Sequence, residues 1–430
     1  MDTASFAFTA LFCALLVLGL VIRTVLASRQ IRHVARHRGT VPTAFSDTIS
    51  VAAHQKAADY TITKTRFGML EIAIDAALLL GWTLLGGLNW LNQTLLSLLS
   101  GGMVQRLALL GSFAVIGGLI TLPLGWYTTF RIEERFGFNK MTTSLWLGDL
   151  LKGALVGTLV GLPIAALVLW LMGAAGPVWW LWAWGVWMVF NLLALVFYPT
   201  VIAPLFNKFE PLADETLKTR VNALMQRCGF AAKGLFVMDG SRRSAHANAY
   251  FTGFGAAKRV VFYDTLLRQL APGEVQAVLA HELGHFKHRH IIQRIVTMFA
   301  LSLAGFALLG WLSNQVWFYT GLGVRPSISL DPTLAAAPND ALALLLFMLV
   351  VPVFTFFISP LFSQLSRRHE FQADAYAVAQ ASGADLSSAL LKLYEDNAST
   401  LTPDPVYVKF YYSHPPATER LARMHNPSHP

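Results

Sequence analysis

The chain has 430 residues, of which 55% are hydrophobic and 13% charged, and its formal net charge is +9. Soluble domains average about 25% charged residues, so this shortfall, together with twelve Trp and long uncharged runs, excludes an ordinary soluble globule and points to a membrane protein. In so apolar a chain the excess of Lys and Arg belongs to cytoplasmic loops, so no nucleic-acid partner is expected, while contact with membrane lipid is.

The N-terminus, "MDTASFAFTALFCALLVLGLVI", starts with an acidic Asp2 and lacks a basic lead-in. It reads as a retained first span over 3–22 rather than a cleaved signal peptide. A crossing takes about 20 apolar residues. The second span is expected within 69–90 and the third over 107–130. The uncharged stretch 153–207 is too long for one crossing, and "GAAGP" (173–177) splits it into a fourth and a fifth. The sixth follows Arg294, and the seventh lies between Asp340 and Arg367. Basic residues cluster after the first span (Arg23, Arg29, Arg32, Arg36, Arg38) and between the third and fourth (Arg131, Arg135, Lys140, Lys152). The 2–3 connection holds only Arg106, and the 4–5 connection holds no charge. The positive-inside rule then predicts a multi-pass protein with its N-terminus outside and its C-terminus in the cytoplasm. The membrane would be a bacterial inner membrane or that of the endoplasmic reticulum. Cys13 and Cys228 lie far apart, so no disulfide framework is expected.

Four regions follow: spans one to five (1–207), a polar α+β region (208–290), spans six and seven (291–365) and a cytoplasmic tail (366–430). The α+β region opens with a helical pattern at 214–230. Three β-like runs follow at 234–240, 246–253 and 259–264, rich in aromatic and β-branched residues. A helix is predicted over 271–290, with Pro272 in its first turn. The tail holds helices at 366–380 and 385–396.

The chemistry sits where polar region meets span. "HELGH" (281–285) is H-E-x-x-H. On a helix, i and i+4 share a face, so His281 and His285 can aim at one metal ion. Glu282 is turned about 100° away, placed to act on a metal-bound water without being a ligand. Zinc suits two imidazoles plus a carboxylate and, in catalytic sites, keeps one position for water. The third ligand is sought in "SRRHEFQADAYA" (366–377), where Glu370 and Asp374 are again i and i+4. Glu370 is the expected ligand. Asp374 is placed to accept a hydrogen bond from the far nitrogen of a ligand histidine. His369 is a rival ligand, though it points about 100° away from Glu370. His288 and His290 read as polar residues at a membrane boundary.

"AHELGHFKHRH" and "SRRHEFQADAYA" resemble the type I CAAX prenyl proteases, integral-membrane zinc endopeptidases. The resemblance extends to "FRIEERFGFNKMT" (130–142), "PTVIAPLFNKFEPL" (199–212), "SAHANAYFTGF" (244–254) and "YYSHPPATERLAR" (411–423). It implies a mainly α fold, with seven transmembrane helices forming a barrel around a water-filled chamber and a small cytoplasmic α+β metalloprotease region. It also implies Zn2+ on His281, His285 and Glu370, with Glu282 as catalytic base. It matches Asn248 to a residue on the substrate-receiving strand, His414 to an oxyanion-stabilising histidine and Arg420 to an arginine near the site. The implied substrate is a peptide or protein, possibly with a prenylated C-terminus.

Two other readings compete. One is a membrane quality-control metalloprotease. The other is a channel or scaffold with structural zinc, which the acidic pair Glu71 and Asp75 in a span keeps open. Structural zinc usually has four protein ligands and no base, so Glu282 is the discriminating residue.

Overall fold

Backbone polar groups inside a bilayer must be satisfied within the segment, and this chain answers mostly with helix. The computed structural model describes residues 2–99, 101–230, 234–252, 259–327 and 339–425. Residues 328–338 of the connection between spans six and seven, the stretch 253–258 that includes the end of the second β-like run, and the C-terminal "NPSHP" lie outside these residues. In chain order the membrane part begins with α1 (Thr3–His37), α2 (Val51–Trp82), α3 (Gly87–Leu99), α4 (Gly102–Tyr127), α5 (Thr143–Ala174), α6 (Trp179–Phe197) and α7 (Ala203–Phe206). The α+β region contains β1 (Phe209–Pro211), α8 (Glu215–Arg227), β2 (Gly234–Met238), β3 (Ala249–Thr252), β4 (Arg259–Tyr263), α9 (Asp264–Gln269) and α10 (Pro272–Lys287). Then come α11 (His290–Leu312), α12 (Val316–Thr320), α13 (Asp340–Thr355), α14 (Ser359–Gln380), α15 (Gly383–Asp396), α16 (Pro405–Tyr411) and α17 (Ala417–His425).

Among the described residues six helical segments are long and apolar enough to cross a membrane, and α2 with α3 makes a seventh, bent by 48°. The chain is a multi-pass integral membrane protein. The expected second span, 69–90, straddles that bend. A Cβ on Gly87 would stand 2.6 Å from the Gly81 carbonyl oxygen, so the turn admits only glycine there. Helix also outruns the apolar windows. α1 continues beyond the expected end at 22, and α2 starts well before 69. The two polar extensions are tied by Arg38 to Asp59 at 2.7 Å and by His54 Nε2 to the His37 carbonyl at 2.9 Å.

Packing is concentrated at the two ends. At one end Phe12, Leu88, Leu109, Leu169, Leu309 and Leu346 form a core with almost no exposure. There Arg106 pairs with Asp340 at 2.9 Å. At the other end Leu224, Val260, Phe262, Leu279 and Leu283 form the core of the α+β region. Between them no residue of 110–127, 143–167, 184–197 or 291–308 is buried. Helices in a solid bundle bury a continuous stripe. These instead touch neighbours in series: α4 beside α5, α5 beside α6, α6 beside α11, and α13 beside α1 and α4. They ring a chamber that side chains leave open.

The sheet has the order β1-β2-β4-β3. β2 and β4 are parallel, and β1 and β3 add antiparallel at the edges. The sequence predicts three strands. β1, three residues long and ending in Pro211, is too short for a period-2 signal. β3 keeps one edge unpaired among the described residues and lies beside α10.

Two expected helix boundaries are corrected. The helix predicted over 271–290 stops at Lys287; Arg289 takes a left-handed conformation (φ 57°) and α11 starts at His290. The helix predicted over 366–380 begins earlier, at Ser359, so the expected border at 365/366 falls inside α14.

Candidate metal centre

α10 presents His281, Glu282 and His285, and α14 presents Glu370 and Asp374. The two helices meet closely because of Gly284, the fourth residue of HELGH. A Cβ there would lie 2.8 Å from Ala373 Cα and 3.0 Å from its carbonyl oxygen. Gly284 facing Ala373 removes side-chain bulk at the contact, so the two motif faces can share one small volume.

His281 Nε2 and His285 Nε2 are 3.3 Å apart. Glu370 Oε2 is 3.4 Å from His281 Nε2, and Glu370 Oε1 is 3.4 Å from His285 Nε2. Each residue of the trio offers a ligand atom, all within 4.8 Å of one another. Glu370 is buried, and its Oε2 has no hydrogen-bond partner. A buried, unsatisfied carboxylate oxygen is costly, and a cation between the three donors removes that cost. The donor set therefore fits a metal ion.

Behind the trio, His281 Nδ1 lies 2.8 Å from Asp374 Oδ1. Arg420, buried, donates from Nε to Asp374 Oδ2 at 2.8 Å and from Nη2 to Oδ1 of the same carboxylate. Burial pushes the Glu282 carboxyl above the usual carboxylate range, and the positive potential of His281 and His285 only partly offsets this. His414 is exposed, with Nε2 3.3 Å from Glu370 Oε1 and Nδ1 bonded to Ser413 Oγ at 2.9 Å. Asn248 stands apart from the trio. It is exposed at the entry to β3, and its Oδ1 accepts from the Ala249 N–H at 2.8 Å. His369 does not join the trio; its ring stacks on His290 at 3.9 Å. His290 opens α11, a helix apolar enough to cross the membrane, so it does lie at the start of a span, but it is buried and bonded to His285.

Other polar contacts carried no sequence signal. His246, two residues before Asn248, stacks on Phe138, bonds Asn397 Oδ1 at 3.1 Å and faces Glu133 at 3.5 Å. Tyr60 donates to the same Glu133 at 2.7 Å. These contacts pin the segment that leads into β3. The residues come from four distant stretches, so no local spacing could announce them.

Comparison with known proteins shows the family. The family model for peptidase family M48 matches residues 211–428, and the model described as CAAX prenyl protease N-terminal, five membrane helices, matches residues 30–208. The chain belongs to peptidase family M48. The M48 chain is 34% identical over 399 residues to the CAAX prenyl protease 1 homolog of Arabidopsis thaliana, covering 89% of each. It is 36% identical to CAAX prenyl protease 1 of Saccharomyces cerevisiae, covering 75% of this chain and 72% of the relative. The crystal structure of S. mikatae Ste24p superposes with a TM-score of 0.89 at 30% identity, covering 97% of this chain and 99% of that one. Like its family, this M48 protein is a metalloendopeptidase that acts on peptide or protein substrates. The enzyme reading thus stands over the scaffold with structural zinc.

Proposed function

We propose that the protein is a zinc endopeptidase in which His281, His285 and Glu370 hold the metal, and that it cleaves prenylated C-terminal peptides at the cytoplasmic mouth of its chamber. The observation that carries this reading is the convergence of the donors: His281 Nε2 and His285 Nε2 lie 3.3 Å apart, and each lies 3.4 Å from a different oxygen of the Glu370 carboxylate. A tetrahedral zinc with bonds of about 2.0–2.1 Å spaces its ligands by about 3.3–3.4 Å. His281, His285 and Glu370 would hold the ion with three protein donors and would leave it open to a water.

Bound zinc would supply Lewis acidity for the scissile carbonyl and acidify that water. Glu282 takes a proton from the water and delivers it to the leaving amine as the C–N bond breaks. A carboxyl lifted by burial suits both halves of that task. His414 donates an N–H to the oxygen that gains charge when water adds to the carbonyl carbon. Asp374 accepts from Nδ1 of His281, which leaves Nε2 bare for the metal, and Arg420 keeps Asp374 ionised and in place. The open edge of β3, entered at Asn248, receives the peptide as an added strand.

The relatives' names supply the prenyl group, and apolar spans around an open chamber offer it an apolar wall. Residues 208–290 and 366–430 form the catalytic part and 1–207 with 291–365 the chamber. The N-terminus faces away from the cytoplasm, in a bacterial inner membrane or that of the endoplasmic reticulum.

Glu282→Gln tests the mechanism. It keeps the three donors, so zinc content should stay near wild type. Cleavage of a farnesylated C-terminal peptide should fall by about 10²–10⁴-fold, the usual contribution of a positioned acid–base group. An active variant would remove Glu282 from the mechanism; wild-type protein that holds no zinc would remove the metal assignment.

A further inference from the structure

The two histidines of the trio are supported differently from behind. His281 has a carboxylate, Asp374, at its Nδ1. His285 has another imidazole: its Nδ1 lies 3.0 Å from Nδ1 of His290. His290 Nε2 in turn lies 2.8 Å from Gln372 Oε1. Gln372 sits two residues beyond Glu370 on α14, so one helix supplies a donor to the trio and an anchor to this second contact.

We propose that His290, oriented by Gln372, is a positioning residue that sets the tautomer and ring plane of His285; the inference rests on the metal site proposed above. An amide oxygen can only accept, so His290 Nε2 carries its N–H toward Gln372. Neutral His290 then has its lone pair on Nδ1. His285 Nδ1, 3.0 Å away, must donate to it. That leaves Nε2 of His285 without a proton, facing His281 Nε2 and Glu370 Oε1 at 3.3 and 3.4 Å. With the opposite tautomer, His285 would present an N–H to the metal position and could not bind there.

The surroundings hold His290 in this role. It is buried, and its ring lies between His369, stacked at 3.9 Å, and His288, stacked at 5.5 Å. The chain break makes the contact possible. In an unbroken helix a residue five positions on is rotated about 140° from His285 and faces elsewhere. The left-handed Arg289 ends α10 and starts α11, so that His290 turns back onto His285.

The test is zinc affinity of the detergent-purified full chain, by chelator competition, together with the visible spectrum of the cobalt-substituted protein. His290→Leu should weaken zinc binding by about 10–100-fold, the usual effect of removing a group that orients a metal ligand. His290→Gln should restore most of the affinity, because its carbonyl oxygen can accept from His285 Nδ1. Gln372→Leu should also weaken binding, by less, since it frees His290 to switch tautomer. It serves as the second probe should His290→Leu fail to fold. The cobalt spectrum should change in His290→Leu and return in His290→Gln. Wild-type affinity in both leucine variants would overturn the proposal, as would His290→Gln binding as weakly as His290→Leu, which marks a purely structural residue. His281→Ala is the control. Were it to bind zinc like wild type, the metal site itself would be misassigned, a result distinct from failure of the His290 proposal.

Discussion

At the scale of single residues, the proposed metal site depends on groups that other groups hold in place. Asp374 is ion-paired with Arg420, and both are buried within the same few ångströms as His281. A parallel device anchors the start of the HELGH helix. Glu274 accepts from the Ala271 N–H at 2.7 Å, from Ser388 Oγ at 2.6 Å and from Lys392 Nζ at 2.8 Å, which ties α10 to α15. Burial alone would raise the Glu274 carboxyl. The hydrogen bonds from Lys392, Ser388 and Ala271 outweigh it and hold the group below the ordinary carboxylate range. A carboxyl whose folded pKa is depressed adds stability above its unfolded pKa, about 4.3, and loses it as pH falls through the folded value. Glu274→Gln should therefore cost about 1–3 kcal/mol at neutral pH. The difference in Tm between wild type and variant should shrink as pH drops below about 4. A difference that stayed constant across that range would show that Glu274 does not act through its charge.

At the scale of elements, one helix pair makes the site. α10 and α14 approach so closely that Gly284 has no room for a Cβ beside Ala373. Gly284→Ala adds one methyl group, yet the two nearest neighbours, Ala373 Cα and its carbonyl oxygen, are backbone atoms that cannot rotate away. The helices must separate by several tenths of an ångström, and Glu370 moves with α14. Zinc affinity should fall although no donor is changed, and activity should fall with it. Overpacking of a tight contact typically costs about 1–3 kcal/mol, so Tm should drop as well. Chelator competition on the purified variant checks this. Unchanged affinity would mean that the helix contact does not set the donor triangle.

At the scale of the whole molecule, two packed ends and an unfilled middle define the fold. The end that holds the α+β region gathers the basic connections that follow the first and third spans. Arg243 bonds Asp149 at the start of α5 at 2.8 Å and Asn207 beyond α6 at 3.0 Å, and Arg29 from α1 pairs with Asp404 in the tail at 3.0 Å. The opposite end holds few charges, and there Arg106 is neutralised by Asp340. This segregation carries the proposed orientation. In a Cys13→Ser, Cys228→Ser background, Thr40→Cys should label from the same side as Ser399→Cys, and Thr3→Cys from the other. Labelling of Thr3→Cys from the side of the tail would reverse the first span and break the seven-helix ring.

Much of this protein could be read from its residues in order. Apolar length marked the spans, because a bilayer sets the length of what crosses it. The i, i+4 spacings of His281 with His285 and of Glu370 with Asp374 marked two helix faces, because a helical turn is fixed by local geometry. Both are short-range properties, visible within one turn or one span. Tertiary structure decided the rest. His281 and Asp374 are 93 residues apart, and only the packing of α10 on α14 brings them to 2.8 Å. In sequence His290 is only a polar residue beside Lys287 and Arg289 at the start of a span; the left-handed Arg289 turns it back onto His285. The chamber, too, is a property of how the spans meet. Each span has the same apolar composition whether its inner face packs against a neighbour or opens on a hollow, and only long-range contacts distinguish the two.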